Sequence, residues 1–224
     1  MGQLSKPLSS VEDGGFSFVV GLAVAVFFML YPDLMEQHPL IPFLPENAKL
    51  LMLGSFPPSR KRWSMEFYYP NWMNDMWRIV GQIFFNDPLH FCVPDEKRFD
   101  KDLLVGFLSE QGIALSDTAQ AVTRLKGTAA DADLQIDVPM DIPSFLRLLP
   151  KCGTVATTGG KAADELAAMF DIEAPKVGEC TLFSFEDRPI RFYRMPSTSR
   201  AYPLPLAKKA EAYRVLFAAA GFAL

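Results

Sequence analysis

The sequence has few cysteines and histidines and no excess of positive charge. Its 224 residues include three cysteines and two histidines. The cysteines are odd in number, lie far apart and form no CxxC pair. This pattern argues against a disulfide framework and against a zinc or iron–sulfur site. The formal net charge of −4 argues against a broadly basic coat for nucleic acid. Local patches of charge can still attract a polyanion.

The sequence also lacks the glycine motifs that bind nucleotide cofactors. Neither GxGxxG nor P-loop spacing occurs, so no cofactor is expected. Half of the chain is hydrophobic, enough for one well-packed domain. Apolar runs alternate with helical patterns, which predicts an α/β fold with a mainly parallel sheet and helices on both faces. The predicted strands are Lys49–Gly54, Ile113–Asp117, Thr154–Thr158 and a hairpin of Thr181–Phe185 and Pro189–Arg194; the predicted helices are Met73–Phe84, Asp102–Gln111, Ile142–Leu149, Lys161–Phe170 and Ala207–Ala220.

Residues 1–35 differ in character from the rest of the chain. Phe16–Tyr31 is a continuous apolar run that falls short of the roughly 20 residues needed to span a bilayer. Acidic residues precede it and no small-residue cleavage site follows, which is poor for a signal peptide. Three interpretations stay open: a weak anchor or signal, a packed element, or upstream sequence before a true start at Met35, which we favour. We expect one domain over residues 36–224, a cytoplasmic location, a monomer and no membrane association.

The chain is organised around Leu51–Trp77. An apolar run ends at Gly54 and two adjacent prolines follow, which predicts a buried strand that leads into a rigid loop. Ligands of open α/β sheets bind at the carboxyl ends of the strands. Cations and aromatic rings at such a place suit a flipped-out base and its phosphates. The alternative is an aromatic loop that packs on the core. The cations are Arg60, Lys61 and Arg62, and the rings include Trp63, Phe67, Tyr68, Tyr69 and Trp72.

Two blocks stand out, one within Leu51–Trp77 and one at Met195–Ala201. They resemble the uracil-DNA glycosylase superfamily, and within it the hypoxanthine (deoxyinosine) DNA glycosylase branch. Leu53–Pro58, LGSFPP, is similar to the branch pattern LGS-[FM]-PG. Tyr68–Trp77 keeps the tyrosine pair, the Asn and the Trp of the block YYAHP-x-N-x-FW. Met195–Ala201, MPSTSRA, is similar to the family's PSTSPA loop. The sequence departs from the pattern where Pro70-Asn71-Trp72 replaces the His-Pro and where Arg200 replaces the second proline, which leaves the pocket floor and the preferred substrate open.

The resemblance implies a three-layer α/β/α fold, like that of uracil-DNA glycosylase, and a role in base excision repair. The implied activity is that of a monofunctional DNA glycosylase, which hydrolyses the N-glycosidic bond of a flipped-out deaminated base, hypoxanthine or uracil. Its partner would be DNA with damaged or deaminated bases, bound without a metal ion, an iron–sulfur cluster or another cofactor. A noncatalytic nucleic-acid-binding relative with the same fold is the alternative.

The resemblance also carries over roles for individual residues. Asn74 corresponds to the catalytic amide, and Ser55 stands where many members of the superfamily have Asp, Asn or Glu to orient water. A hydroxyl supplies no carboxylate charge and is a weak base without an adjacent His, so we expect Asn74 to position the water or to hydrogen-bond the base. The residues expected to bind the base are Gly54, Phe56, Tyr68, Tyr69 and Gly159. Those expected to contact DNA are Arg60, Lys61, Arg62, Ser197, Thr198, Ser199 and Arg200, with Arg200 able to enter the gap left by the flipped nucleotide.

The segment after the second predicted strand is similar to the family's GIALWD and R-x-G-S-x-D patterns. Asp117 and Arg124 match, Ser116 replaces the Trp, and Gly127 and Asp131 or Asp133 follow. We favour an Asp–Arg pair that orders a loop over direct contact with the base. His38 and His90 lie outside both blocks, and a structural or solvated role is expected for each.

Overall fold

The computed structural model describes residues 35–125 and 133–224. Phe16–Tyr31, Gly127 and Asp131 lie outside these ranges. The strands are β1 (Glu36–Gln37), β2 (Leu50–Gly54), β3 (Ile113–Asp117), β4 (Ala119–Arg124), β5 (Leu134–Pro139), β6 (Thr154–Thr157), β7 (Cys180–Phe185) and β8 (Arg188–Arg194). The helices are α1 (Met76–Phe85), α2 (Lys101–Gln111), α3 (Ile142–Leu148), α4 (Gly160–Met169) and α5 (Leu206–Ala219), with a short 3-10 turn at Arg60–Arg62.

The central sheet has five strands in the order β3-β2-β6-β8-β7. The first four are parallel, and β7 joins the edge as the antiparallel arm of a hairpin. In the register of β2 and β3, Gly54 pairs with Asp117, so both strands end at the same level. The mainly parallel α/β sheet predicted from the sequence is therefore confirmed, and it brings the ends of β2, β3 and β6 to one edge.

Successive side chains of the buried strands lie on opposite faces of the sheet. Leu50 and Met52 pack in a cluster with residues of α1, α2 and α5, whereas Leu51 and Leu53 pack with residues of α3 and α4. All five residues of β2 are buried, as expected of a strand covered by helices on both sides. Each large side chain buried here contributes about 1.5–3 kcal/mol. Helices therefore pack on both faces of the sheet, which is the three-layer α/β/α arrangement.

A second, smaller sheet lies beside the first and is not among the predicted elements. Its antiparallel order is β1-β4-β5, and β4 follows β3 after one residue, Thr118. With one residue between the two strands, no separate turn signal marks the start of β4. The Glu36–Gln37 strand is only two residues long and exposed, so it has no apolar pattern. β5 does alternate, with Leu134, Ile136 and Val138 separated by polar residues, a strand signal that the prediction left out.

The predicted helices are confirmed, with shifts at their ends. Helix α1 begins at Met76 and not at Met73, because the preceding residues are bound to another segment. Asp75 donates its backbone N–H to Thr198 O at 2.9 Å, and Asn74 pairs with Ser199 in an isolated bridge. Helix α2 ends at Gly112, whose φ of +75° is the left-handed conformation that favours glycine. Over the described ranges, no helix has both the length and the apolar character required to cross a membrane.

Candidate functional site

A cavity of about 430 Å³ lies where β2, β3 and β6 end. Gly54, Asp117 and Thr158, at or just after the ends of these strands, all line it. The two sequence blocks, more than 100 residues apart, meet across this space. Ten of the residues predicted to form the site line the cavity: Gly54, Ser55, Phe56, Arg62, Tyr68, Tyr69, Asn74, Ser197, Thr198 and Ser199.

Four residues predicted to form the site do not line the cavity. Arg60 and Lys61 lie in the exposed 3-10 turn next to Arg62. Arg60 pairs with Glu66 and lies over the ring of Trp63. Gly159 is the N-cap residue of α4, and the neighbouring Thr158 lines the cavity in its place. The fourth residue, Arg200, is exposed and belongs to an ion-pair network described below.

Asn74 lies just before α1, and the two ends of its side-chain amide have different surroundings. Its Oδ1 accepts the backbone N–H of Met76 at 2.9 Å. This bond fixes which end of the amide faces the helix, because a backbone N–H needs an acceptor. The Nδ2 group has no hydrogen-bond partner among the described residues. Since Asn74 lines the cavity, its amide N–H donors are available to a bound molecule.

Asp117 is the carboxylate of the cavity, and its partner is His38. His38 Nε2 donates to Asp117 Oδ2 at 2.9 Å, and its Nδ1 lies 2.9 Å from Leu40 O. The side chains of His38 and Asp117 are 2% and 8% exposed. The predicted Asp–Arg pair is not one between Asp117 and Arg124. Arg124 instead binds Glu36 and the carbonyl of Pro57, since β4 carries it to the small sheet, away from the end of β3.

His38 was not predicted to belong to the site. It lies 79 residues before Asp117 in the chain, and neither periodicity nor spacing connects two residues across such a distance. Its ring packs edge-on against Phe56 and stacks on Tyr68. A structural or solvated role was expected for His38; its side chain is 2% exposed and contacts three residues that line the cavity, Asp117, Phe56 and Tyr68. His90 has no such position, and stacks on Phe85 at 3.6 Å.

Tyr68 and Tyr69 are neighbours in the cavity wall with different exposure. Tyr68 is 2% exposed and donates to Ile41 O at 3.3 Å. Tyr69 is half-buried, and its hydroxyl lies 3.1 Å from Thr158 Oγ1. Burial, and after it the charge of Asp117, raises the pKa of both phenols well above the usual value. Both rings therefore stay neutral at physiological pH. Tyr69 also has a φ of +50°, which is uncommon for a residue with a side chain.

A buried ion-pair network holds the Ser197–Arg200 loop against α1. Asp75 Oδ1 accepts from Arg200 Nε at 2.9 Å, and its Oδ2 accepts from Lys209 Nζ at 3.0 Å. Lys209, on α5, is fully buried and also donates to Ser199 O at 2.8 Å. One carboxylate thus joins the start of α1, the loop and α5. No sequence pattern predicts this network, because a Lys side chain in a surface helix is usually exposed to solvent.

The hydroxyls of the Ser197–Arg200 loop stabilise its turn and keep a donor free. Ser197 Oγ accepts the backbone N–H of Ser199 at 3.3 Å, and Ser199 Oγ accepts that of Ala201 at 3.2 Å. A hydroxyl that accepts one bond can still donate its own hydrogen. Both residues line the cavity, so the loop can offer O–H groups to an anion.

The described residues include no group of three or more His, Cys, Asp or Glu side chains that could hold a metal ion. The three cysteines are free thiols. The cavity contains one carboxylate with one histidine behind it, a donor set that suits hydrogen bonding to an organic ligand better than metal coordination.

No protein-family model and no curated protein matches the sequence. Solved structures do match, among them the solution NMR structure of a protein from Methanosarcina acetivorans described as "a putative Uracil DNA glycosylase". That match has a TM-score of 0.53 and 21% sequence identity, and it covers 84% of this chain and 99% of the other. The likeness establishes a uracil-DNA glycosylase-like fold, as the sequence resemblance predicts.

Proposed function

We propose that this protein is a DNA base-excision glycosylase that hydrolyses the N-glycosidic bond of a flipped-out deaminated base. The observation that carries the proposal is the cavity, in which both sequence blocks meet at the carboxyl ends of the parallel strands. Its volume of about 430 Å³ is within the ~300–1,000 Å³ of small-molecule sites. The name given to the Methanosarcina acetivorans structure agrees with the proposal.

The cavity wall supplies what departure of a base requires. The leaving base gains negative charge, which hydrogen-bond donors stabilise. The free amide N–H of Asn74 is such a donor, and Ser55 adds a hydroxyl at the end of β2. Removing a donor of this kind typically lowers a rate by about 10²–10³-fold. Asn74 and Ser55 are therefore the proposed catalytic residues. Asn74 would hydrogen-bond the base or position the water.

Aromatic side chains would hold the extruded base by stacking. Tyr69 and Phe56 are half-buried and line the cavity, so their rings offer more accessible area than that of Tyr68. Stacking contributes about 1–3 kcal/mol per base. We assign the base-stacking role to Tyr69 and Phe56, and a supporting role to the buried Tyr68. Gly54 lets the backbone of the strand end approach the base.

Phosphates would bind at the cavity mouth. Arg62 is exposed and lines the cavity, and the hydroxyls of Ser197 and Ser199 face the same space. Arg60, Lys61 and Arg200 lie outside the cavity, where they can contact flanking phosphates without touching the base. Because Asp75 holds Arg200 in an ion pair, its entry into the gap of the flipped nucleotide would require that pair to open.

We further propose monofunctional hydrolysis and a place in the hypoxanthine branch. A glycosylase that also cleaves the strand needs an amine to attack the sugar, and the described cavity wall has Arg62 as its basic residue but no lysine. The branch assignment depends on LGSFPP and on the Tyr68–Trp77 block, and hypoxanthine or uracil would be the base removed.

The test is a cleavage assay with the purified full chain. Labelled oligonucleotides would carry deoxyinosine, deoxyuridine or deoxyxanthosine, each single-stranded and paired. We expect abasic product from at least one lesion, and loss of that product in Asn74→Ala. Binding to DNA without product on every substrate would instead favour the noncatalytic relative. Full activity in Asn74→Ala would contradict the role given to Asn74.

A further inference from the structure

Strand β7 lies at one edge of the central sheet and lacks the usual protection of an exposed strand. Its sequence, CTLFSF, contains no charged residue and no proline. It pairs with β8 in continuous register, without a bulge. Natural edge strands are short, charged, bulged or interrupted by proline, because an unprotected row of backbone N–H and C=O groups pairs readily with another chain. With six residues, β7 has ordinary strand length and offers a complete edge.

The other sheet edges are protected. At the opposite side of the central sheet, β3 is covered by Phe43, which exchanges backbone hydrogen bonds with Leu115 at 2.8 and 2.9 Å. In the small sheet, β1 is two residues long and includes Glu36, whereas β5 carries Asp137 and ends at Pro139. Among the strands that the structure describes, β7 is therefore the edge that is both long and unprotected.

The hydrogen bonds of β8 show which backbone groups of β7 point away from the sheet. Arg191 donates its backbone N–H to Gly153 O at 3.0 Å, on the side of β6. The residue that faces Arg191 on β7, Leu182, therefore belongs to a non-hydrogen-bonded pair. By the alternation of an antiparallel ladder, Cys180, Leu182 and Ser184 direct their N–H and C=O groups outward. Within the described part of the chain, no strand lies on that side of β7.

The side chains of β7 divide between an exposed face and a buried face. Leu182 is 69% exposed, and Cys180 and Ser184 are exposed beside it. Phe183 and Phe185, on the other face, are buried in the core cluster that includes residues of α3 and α4. These two rings anchor the strand, so its outward backbone groups are already ordered. Pairing with another strand then costs little conformational entropy on this side.

We propose that two copies of this chain associate through β7, antiparallel about a two-fold axis at Leu182. Outward-pointing residues must face outward-pointing residues. With this axis, Leu182 faces Leu182 of the second copy and Cys180 faces Ser184, so every outward group of β7 has a partner. The edge is its own complement, as a two-fold interface requires. An axis at Thr181 would instead leave Ser184 facing Gly178, outside the strand.

Charge favours this register and this partner. An axis at Phe183 would place Glu179 opposite Asp187 of the second copy, and like charges directly opposite each other are destabilising. With the axis at Leu182, Glu179 faces Phe185 instead. Because β7 itself is uncharged, it has no electrostatic complement for an acidic or basic peptide, whereas a second copy meets it without a like-charge contact.

The interface is small and leaves the cavity open. A paired strand of six residues is about 20 Å long, which is far below the extent of an obligate interface. We therefore expect a reversible dimer with a Kd of about 1–100 µM. β8 and β6 separate β7 from β2, so the inference does not depend on the proposed function. A monomer is the expectation from the sequence, because nothing in the sequence alone marks β7 as an edge strand.

Sedimentation velocity of the purified full chain, in reducing buffer and at concentrations on both sides of that Kd, measures the association. Leu182→Lys places two ammonium groups opposite each other at the axis. Leu148→Lys is the matched control, since Leu148 is 65% exposed at the end of α3. We expect wild type and control to dimerise alike, and Leu182→Lys to raise the Kd about 10-fold or more. Thermal unfolding checks that each variant folds.

A second experiment tests the register by cross-linking. Mild oxidation with copper phenanthroline should rapidly join two copies of Ser184→Cys, because the new thiol faces the native Cys180 of the second copy. The Cα atoms of such a pair are about 5.5 Å apart, within the reach of a disulfide. Wild type should cross-link slowly, since its Cys180 faces a serine. Asp187→Cys is the control, because it adds an exposed thiol outside β7 and should also react slowly.

Several outcomes would overturn the proposal. A dimer that Leu182→Lys leaves intact would place the contact elsewhere on the chain. Cross-linking of wild type as fast as that of Ser184→Cys would contradict the register. A monomer whose Leu182 amide is protected from hydrogen exchange would assign the edge to another segment of the same chain, and a monomer whose Leu182 amide exchanges freely would show an edge without an occupant. Either monomer overturns the dimer and leaves the glycosylase proposal untouched.

Discussion

The carboxylate of Asp75 lies 3.0 Å from the ammonium nitrogen of Lys209, and both side chains are almost completely buried. Arg200 binds the other carboxylate oxygen from the solvent side, with its side chain 40% exposed. The pair therefore does more than neutralise charge in the core. It attaches the loop that carries Ser197 and Ser199 to the helix start that carries Asn74, so the two halves of the candidate site have a common support.

Lys209→Met should reduce the free energy of unfolding by about 3 kcal/mol, because it leaves a buried carboxylate without its closest cation. Urea denaturation monitored by circular dichroism measures the change. Lys208→Met is the matched control, since Lys208 is adjacent, 62% exposed and paired with Glu211 at the surface. We expect it to change stability by less than about 0.5 kcal/mol. Similar losses in the two variants would show that the burial of Lys209 is unimportant.

Cys152 and Cys180 should differ widely in reactivity. Cys152 is fully buried, and burial raises the pKa of its thiol to about 11. The thiolate is the reactive form, and a thiol with this pKa is almost entirely protonated at pH 8. Cys180 is exposed on β7, the edge strand. We expect iodoacetamide to modify Cys180 in the native protein and Cys152 only in denaturant.

Mass spectrometry of peptides from native and urea-treated samples gives the extent of modification at each cysteine. Cys92, which is half-buried, should react at an intermediate rate. Rapid modification of Cys152 without denaturant would mean that the β6 side of the core opens far more readily than its packing indicates.

Gly54→Ala should damage both stability and recognition. The added Cβ would lie 2.3 Å from Asp117 Oδ1 and 3.9 Å from the ring of Tyr69. Relief of this clash must move the carboxylate or the strand end, at a cost of about 1–3 kcal/mol. Gly153→Ala is the control, because nothing lies within 4 Å of a Cβ at that position. We expect the control to keep wild-type stability in urea denaturation and wild-type cleavage of the lesion-bearing oligonucleotides.

The central sheet could be predicted from sequence because its strands are short, apolar and ended by recognisable residues. β2 is an uninterrupted apolar run that stops at Gly54 and two prolines, and β3 follows the glycine that ends α2. The small sheet is harder to predict, since Thr118 is the single residue between β3 and β4, and the alternation of Leu134–Pro139 is its one clear strand signal. Its pairing with Glu36–Gln37 is decided by tertiary contact and not by local pattern.

The candidate site divides in a similar way. Residues within the two blocks, such as Ser55 and Asn74, can be predicted to line the cavity, because the order of residue types along the chain is itself a signal. His38 and Lys209 were not predicted because the carboxylate that each one binds lies 79 and 134 residues away in the chain. Burial of a polar side chain is the property that identifies both, and it is visible only after folding.

Asn74→Asp can decide between the two roles that remain open for this residue. An aspartate keeps the acceptor that binds the N–H of Met76, and its charge at the start of α1 is favourable, so stability should stay within about 0.5 kcal/mol of wild type. The substitution removes the N–H donors that face the cavity. If Asn74 donates to the departing base, we expect single-turnover cleavage to fall at least 100-fold.

Asn74→Ala is the companion variant. It loses the same donors and also the bond to Met76, which should lower stability by about 1 kcal/mol. A rate that survives in Asn74→Asp and is lost in Asn74→Ala would assign the amide oxygen, and with it the positioning of water, as the part of Asn74 that matters. A rate lost equally in both variants assigns the N–H donor, because the acceptor is the feature that only one of them retains.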